Sequence, residues 1–360
     1  MPALQALIRQ IAEEHRPLTR QEARNALHAI LAVEPEEQAS DQEVAVLLTI
    51  IATRGETVDE LTGFAEAMRA LSIPIPLTPD ERAALVDTCG TGGDGQGTFN
   101  ISTGAALVAA AAGAKVAKHG NRGITSRCGS ADVLEAMGVP VDLTPLQSAE
   151  CLRAAGFAFL YAPALHPALK RVQPIRRSLG FRTIFNLAGP LTNPAGAPAQ
   201  IMGVYSRTKL AVVAGAMVQL GVRFGRVVHS RDGIDEMALS PTDTTLVRIL
   251  SDHEPPHPYP CLVHPEDAGL RSAELSQLQG GETAQNNAAI LEAILDGIET
   301  GPKRDVVLLN AAAALEAIGM AADLKEGAVY AAEAIDSGAT RRTLEALREF
   351  GRSVKYEPNH

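Results

Sequence analysis

The residues best placed to do chemistry lie in one stretch, VDTCGTGGDGQGTFNISTGAALVAAAAGAKVAKHGNRGITSRCGSADVLEAMG, from Val86 to Gly138. Gly90, Gly92, Gly93, Gly95 and Gly97 follow the short apolar run Leu85-Val86 and precede an Ala-rich helix signal from about Ser102 to Ala112. A strand, a glycine loop and a helix N-terminus in that order suit a phosphate. Glycine lets backbone N–H groups approach an anion, and the first helical turn leaves four donors unpaired at the positive end of the dipole. The charges sharpen this reading. No Asp or Glu occurs from Gly95 to Ala131, while Lys115, Lys118, Arg122 and Arg127 fall inside, in a chain of formal net charge −10. Glycines alone would equally fit an ordinary strand-to-helix turn; the cleared negative charge favours the anion site.

Two familiar phosphate motifs do not apply. Gly90-Thr91-Gly92-Gly93-Asp94-Gly95 satisfies the letter of the dinucleotide fingerprint, which also wants a carboxylate about 20 residues on for the ribose. The next acid after Asp94 is Asp132. The loop has no Gly-Lys-Ser/Thr either, which argues against a P-loop nucleotidase.

A second cluster, Asp232, Asp235 and Glu236 in HSRDGIDEMAL, follows a strand signal ending at His229. Carboxylates at the C-terminal end of a strand stand where an α/β sheet binds ligands, and hard oxygens suit Mg²⁺. An acidic turn is commonly just a solvated face. The glycine loop changes the weighing, because a polyphosphate held there needs a metal supplied from elsewhere. No G-x-S-x-G elbow or metal-spaced His pair is present. With a pyrophosphate-bearing donor none is needed: metal ions, a lysine and backbone amides stabilise the leaving group without a covalent nucleophile.

The strings GTGGDG, TFNIST (Thr98 to Thr103), KHGNR (Lys118 to Arg122) and GSADVLEAMG (Gly129 to Gly138) closely resemble the anthranilate phosphoribosyltransferases. The resemblance continues in HPALKRVQPIRRSLGFRTIFNLAGPLTNPA (His166 to Ala195), in DGIDE and in NAAAAL (Asn310 to Leu315), so it covers nearly the whole chain. It implies transfer of a phosphoribosyl group from 5-phosphoribosyl 1-pyrophosphate (PRPP) to the amine of anthranilate, in tryptophan biosynthesis. Gly90, Gly93, Asp94, Thr98 and the turn Asn100, Ile101, Ser102 and Thr103 would contact PRPP. Lys118, as an electrostatic group, His119, Gly120, Asn121, Arg122, Gly123, Ile124, Thr125, Ser126 and Ser130 would complete that site. Gly90, His119, Asn121, His166 and Arg176 would hold anthranilate, the arginine pairing with its carboxylate. Ser102, Asp235 and Glu236 would carry Mg²⁺, as two ions. Thr125 and Cys128 stand where serines are common in the family, and Ser230 where glycine usually follows the histidine; none removes an assigned ligand. The nearest alternatives are a pyrimidine nucleoside phosphorylase-like enzyme, against which KHGNR and the Asp235-Glu236 pair speak, and a non-catalytic binding protein, which would have lost the acids or gained a basic face.

These groups must be positioned by an α/β fold: a small all-helical domain and a larger domain with a central, mostly parallel sheet flanked by helices. Leu4, Leu7, Ile8 and Ile11 recur at helical spacing, and Thr19…Glu22, Ser40…Glu43 and Thr57…Glu60 are capping boxes, each starting a helix. Gly55 would stop the third helix, and Pro74 and Pro76 form a linker. The third helix is apolar on more than one face (Val44, Val46, Leu47, Leu48, Ile50, Ile51), which means burial in a bundle or a subunit contact. From about residue 80, strands at Leu85-Val86, 115–118, 157–161, 201–205 and 226–229 alternate with helices, which argues for a largely parallel sheet. Asp252 to Pro260, DHEPPHPYP, reads as a Pro-rich loop, and 283–350 is helical. The resemblance adds that 166–185 crosses back to the helices of 1–75, leaving 76–165 and 186–360 as the α/β domain, and that homodimers form through the N-terminal helices.

At 360 residues the chain has room for two domains. Aromatics are only 4% and Trp is absent, so the core must be aliphatic. The acidic balance argues against nucleic acid as a partner. Cys89, Cys128, Cys151 and Cys261 have no metal-like spacing and read as reduced thiols. The first residues carry Arg9, Glu13 and Glu14 and do not read as a signal peptide, and no apolar run is long enough to span a bilayer. A cytoplasmic enzyme without membrane contact is the expectation.

Overall fold

The computed structural model describes residues 3–34, 38–123, 128–248 and 257–355. The N-terminal helices begin where the caps predict. After α1 (Ala3–Glu13), Thr19, Ser40 and Thr57 open α2 (Arg20–Leu31), α3 (Asp41–Arg54) and α4 (Val58–Ala70), each through a complete capping box. Gly55 ends α3 at φ 96°, a conformation glycine adopts without strain. Glu60 does more than cap α4. Its buried carboxylate accepts the Leu18 N–H at 3.0 Å and pairs with Arg54, joining three helix ends. On α3, Val44, Leu47, Leu48 and Ile51 are buried, but Val46 is 45% exposed and Ile50 only partly covered, so within one chain the helix buries a single face.

The strand–helix alternation follows: α5 (Pro79–Ala83), β1 (Leu85–Gly90), α6 (Ile101–Ala111), β2 (Lys115–Gly120), α7 (Ser130–Ala136), α8 (Pro145–Ala155), β3 (Phe157–Tyr161) and α9 (Ala162–Leu165). The chain then runs through α10 (Gln173–Leu179) and α11 (Ile184–Ala188) to β4 (Ala199–Gly203), α12 (Leu210–Gln219), β5 (Phe224–Ser230), β6 (Thr242–Arg248) and β7 (His257–Val263). Four helices close it: α13 (Ala284–Leu295), α14 (Pro302–Ala317), α15 (Leu324–Asp336) and α16 (Ala339–Lys355). The sheet order is β3-β2-β1-β4-β5-β6-β7, parallel from β3 to β5 and antiparallel at β6 and β7.

Two expectations are corrected at that edge. Residues 257–260 of the Pro-rich run form part of β7, and β6 had no recognised sequence signal. Proline cannot donate to a ladder, so it belongs on an edge strand, and β7, with Pro258 opposite Val247 and Pro260 opposite Thr245, is the edge. The rest of that run, 252–256, lies outside the described residues.

The sheet separates two cores. Alternation along each strand sends Val228 to a core with α6 and α13–α16, and Val227 to one shared by α12 and the N-terminal bundle. Val172, Ile175, Ile184 and Phe185 of the 166–185 segment are buried in the second core, where the Phe185 ring meets Phe64 edge-on at 5.7 Å. No disulfide joins the four cysteines. No helix among the described residues is long and apolar enough to cross a membrane.

Candidate active site

From the pair β1 and β4 the sheet grows in opposite directions, so the C-terminal ends of these two strands border the crevice where open α/β sheets bind ligands. Gly90 and Gly203 face each other there. The acid-bearing loop after β5 lies over this pair. A Cβ on Gly203 would sit 1.4 Å from the Asp235 carbonyl oxygen, and one on Gly90 would sit 2.9 Å from Asp235 Oδ2. Glycine at both positions is therefore what lets the two loops meet.

They meet through hydrogen bonds. Gly92 N–H donates to Asp235 Oδ2 at 2.7 Å, and Asp235 N–H donates to Asp94 Oδ2 at 3.4 Å. Asp94, Asp235 and Glu236 bring carboxylate oxygens within 4.8 Å of one another. Burial, then the neighbouring carboxylates, hold the acids of Asp235 and Glu236 above their usual range. The buried Lys118 ammonium donates to the Thr88 carbonyl and, at 3.4 Å, to Ser102 Oγ. Burial pulls its pKa down while Asp87 and the acid cluster pull it back up. One lysine against three acids leaves negative charge uncompensated, and an all-oxygen set of this kind fits a hard divalent cation. Beneath the loop, Ser102, Asp235 and Glu236 line a cavity of about 10 Å³, near the size of one water.

On its other side the loop is open. A Cβ on Gly92 or Gly95 would meet nothing within 4 Å, and the N–H groups of Gly93, Asp94 and Gly95 have no acceptor among the described residues. Thr98 forms a β-bridge with Gln279, fixing the end of the loop. Asn100 caps α6 without a side-chain bond and instead donates to the Cys128 carbonyl at 3.2 Å. Ile101 and Thr103 are buried, while Ser102 is half-buried beside Lys118. His119, Gly120, Asn121, Arg122 and Gly123 continue from the C-terminal end of β2, and Ser130 starts α7 against Gly120. Ile124, Thr125, Ser126 and Arg127 lie outside the described residues.

The cations of the acid-free stretch do not gather on the loop. Arg122 turns to Asp132 at 3.2 Å and Glu135 at 2.7 Å, the first acids past that stretch. Lys115 lies at the opposite end of β2, where it and Arg223 border a larger cavity of about 320 Å³ at the N-terminal edge of the sheet, away from the acids. Lys118 alone of the described three sits beneath the turn. Sequence distance from carboxylates was thus a poorer guide than the fold.

On the far side of β2, the His119 and His166 rings approach to 5.1 Å between centres. Both are buried, and neither Nε2 has a hydrogen-bond partner among the described residues. Burial holds His119 down at about 3 and His166 at about 4, so both imidazoles are neutral at pH 7. Arg176, on α10, is half-buried, packs its guanidinium 5.4 Å from the Phe185 ring centre and has no carboxylate partner among the described residues.

Some residues shape the site in ways the sequence did not assign. Asp94 was given to the donor, yet it also joins the two later acids. Asn310 clamps the acid loop: its Oδ1 accepts the Met237 N–H at 3.1 Å and its Nδ2 donates to the Met237 carbonyl at 2.7 Å. A lone polar residue inside the apolar run from Val306 to Leu315 was the available signal. Asp87, buried, accepts the His119 N–H at 3.1 Å, and desolvation pushes its carboxyl up to about 6. Ser230 is put to use where glycine is usual, its Oγ accepting the Asp232 N–H at 3.0 Å before the acids.

Comparison with known proteins agrees across the chain. Residues 4–72 match the helical bundle domain of a glycosyl transferase family, and residues 82–341 its a/b domain. The chain is 48% identical over 355 residues, 98% of its length and 99% of the relative's, to the anthranilate phosphoribosyltransferase of Symbiobacterium thermophilum. To that of Solibacter usitatus it is 47% identical, over 98% of this chain and 100% of the relative. The solved anthranilate phosphoribosyltransferase of Thermus thermophilus superposes with a TM-score of 0.87 at 41% identity, covering 98% of this chain and all of the other. The Saccharomyces cerevisiae enzyme in complex with PRPP and Mg gives 0.84 at 28% identity, covering 97% and 98%.

Proposed function

The chain belongs to the anthranilate phosphoribosyltransferases, of the glycosyl transferase family, and on that premise we propose which of its residues carry the reaction. The enzyme transfers the phosphoribosyl group of PRPP to the amine of anthranilate and releases pyrophosphate, a step of tryptophan biosynthesis. The observation that carries the residue assignment is the convergence of the glycine turn with Asp94, Asp235 and Glu236 at the β1/β4 crevice.

The chemical difficulty is a leaving group of several negative charges departing while positive character builds on the ribose carbon. The unpaired N–H groups of Gly93, Asp94 and Gly95, with the N-terminus of α6, bind and orient the pyrophosphate. Lys118 holds a fixed positive charge beneath Ser102. Asn121, Gly123 and Ser130 border the ribose phosphate; Ile124, Thr125 and Ser126, assigned to the same site from sequence, lie outside the described residues. Mg²⁺ is the cofactor, and when bound it neutralises charge on the departing pyrophosphate. We assign two ions, one to Ser102 and one to Asp235 and Glu236 with Asp94 beside them.

For the acceptor, Arg176 takes the anthranilate carboxylate in a charge-assisted pair, and Gly90, Asn121 and the neutral His119 and His166 border its ring and amine. An aromatic amine keeps its lone pair free at neutral pH, so attack needs no strong base. An unprotonated Nε2 can accept the proton that the amine sheds afterwards. Packing of Val172, Ile175 and Phe185 among the bundle helices supports dividing the chain into a helical domain of 1–75 plus 166–185 and an α/β domain of 76–165 plus 186–360. Val46, exposed on an apolar helix, supports a homodimer through the N-terminal helices. A biosynthetic step on water-soluble substrates supports a cytoplasmic location for the enzyme.

Loss of anthranilate fluorescence on adding PRPP and Mg²⁺ tests the reaction. In the same assay Arg176→Ala raises KM for anthranilate by about 10- to 100-fold, the worth of one charge-assisted pair, and leaves KM for PRPP nearly unchanged. A loss confined to PRPP would remove Arg176 from the acceptor site.

A further inference from the structure

Arg182 is an exposed guanidinium with no carboxylate partner among the described residues, in a chain with 32 bases against 42 acids. Its Nη2 donates to the Gly93 carbonyl in the middle of the glycine turn. Its guanidinium carbon lies 4.3 Å from the centre of the Tyr205 ring, a cation–π distance. Tyr205 is itself fixed to the start of the turn: its N–H donates to Thr91 Oγ1 at 3.0 Å, and Thr91 N–H donates to the Gly203 carbonyl at 2.9 Å. Arg182 is thus held by the chain leaving β4 and in turn holds the turn.

A trans peptide points its C=O and N–H in opposite directions. With the Gly93 carbonyl turned to Arg182, the Asp94 N–H faces away from it. Among the described residues, the bond from Arg182 is the one hydrogen bond to this peptide's own C=O or N–H. Gly92 and Gly93 stand at φ 63° and 70°, and glycine pays little for either sign of φ. A flipped Gly93–Asp94 peptide would turn a carbonyl oxygen towards a bound anion and withdraw a donor. Arg182 also sits between α10, which bears Arg176, and α11, whose Phe185 packs against that arginine.

We infer that Arg182 is a positioning residue for the donor: it locks the orientation of the Gly93–Asp94 peptide so that the turn keeps its N–H groups on the pyrophosphate, and it ties the turn to the acceptor-bearing segment. This rests on the donor site assigned above. The test is steady-state kinetics of the full-length enzyme with Arg182→Ala, Arg182→Gln, Arg182→Lys and Tyr205→Leu. Arg182→Ala lowers kcat/KM for PRPP by about 10- to 100-fold and keeps KM for anthranilate at saturating PRPP within about twofold. Arg182→Gln, which can still donate to the carbonyl without charge, recovers most of that loss, and added guanidinium ion restores Arg182→Ala. Tyr205→Leu, which loosens the arginine but leaves the bond possible, shows a smaller loss on PRPP alone. Unchanged PRPP dependence in Arg182→Ala overturns the inference. So does recovery by Lys and not by Gln, because that pattern marks a direct charge on the pyrophosphate. Should Arg182→Ala not fold, Tyr205→Leu with wild-type PRPP dependence overturns it equally. Failure of the wild type to consume anthranilate would instead strike the assigned reaction.

Discussion

His119 and His166 are buried as neutral imidazoles, and their titration opposes that of the carboxyl of Asp87 beside them. For each histidine the folded pKa, about 3 and about 4, lies below the ordinary 6.5. Between those values the unfolded chain binds a proton that the folded one refuses, so stability falls as pH drops from 6.5. Asp87 runs the other way: its carboxyl, raised from 3.8 to about 6, holds a proton in the folded state and not in the unfolded one between those two values, which adds stability on acidification there. The contributions partly cancel in the wild type, and His166→Gln unmasks them. The stability difference between wild type and variant should change by up to about 1.4 kcal/mol per pH unit from pH 6.5 towards 4, with the variant less sensitive to acid. Urea unfolding across that range reads it directly; a difference that does not vary with pH means that His166 is solvated. At this scale sequence reading identified residue types well and their neighbours poorly. KHGNR marked His119 and Arg122 alike, but only the fold shows the first facing His166 and the second spent on Asp132 and Glu135.

The acid loop owes its position to elements on both sides of it. Gly90 and Gly203 admit it from below, and α14 clamps it through Asn310, whose side chain satisfies both backbone groups of Met237. Asn310→Ala leaves a buried N–H and C=O without partners, which costs about 3 kcal/mol of stability and loosens Glu236 and Asp235, the proposed metal ligands one and two residues upstream. Urea denaturation with a parallel Mg²⁺ titration measures both effects; a loss under about 1 kcal/mol would mean that water replaces the amide. Element starts were legible because capping is local: Thr19, Ser40 and Thr57 announce their helices within four residues. The antiparallel edge was not. β6 and β7 are held by pairing with each other and with β5, and two prolines in β7 carry a loop signature that only an edge position tolerates.

Over the whole molecule, the sheet carries the loops proposed for the donor on its C-terminal edge, while the 166–185 segment, packed into the helical core, carries Arg176, proposed for the acceptor. Composition could bound the number of domains but could not reveal that crossing, because the contact joins Phe64 and Phe185, positions far apart along the chain with no local signal linking them. The exposed face of α3 belongs to the same scale. Val46→Asp should convert the proposed dimer to monomers by sedimentation velocity, and a surviving dimer would put the contact on another surface. The central claim, that the glycine turn and the acid loop enclose one magnesium-bound pyrophosphate, is tested most directly by the Mg²⁺ activation curve of Asp235→Asn at fixed PRPP. Asn preserves the shape and can still accept the Gly92 N–H, so only the charge is removed. The half-activating Mg²⁺ concentration should rise by at least about tenfold with a fall in kcat. A curve that superimposes on the wild type would contradict the account.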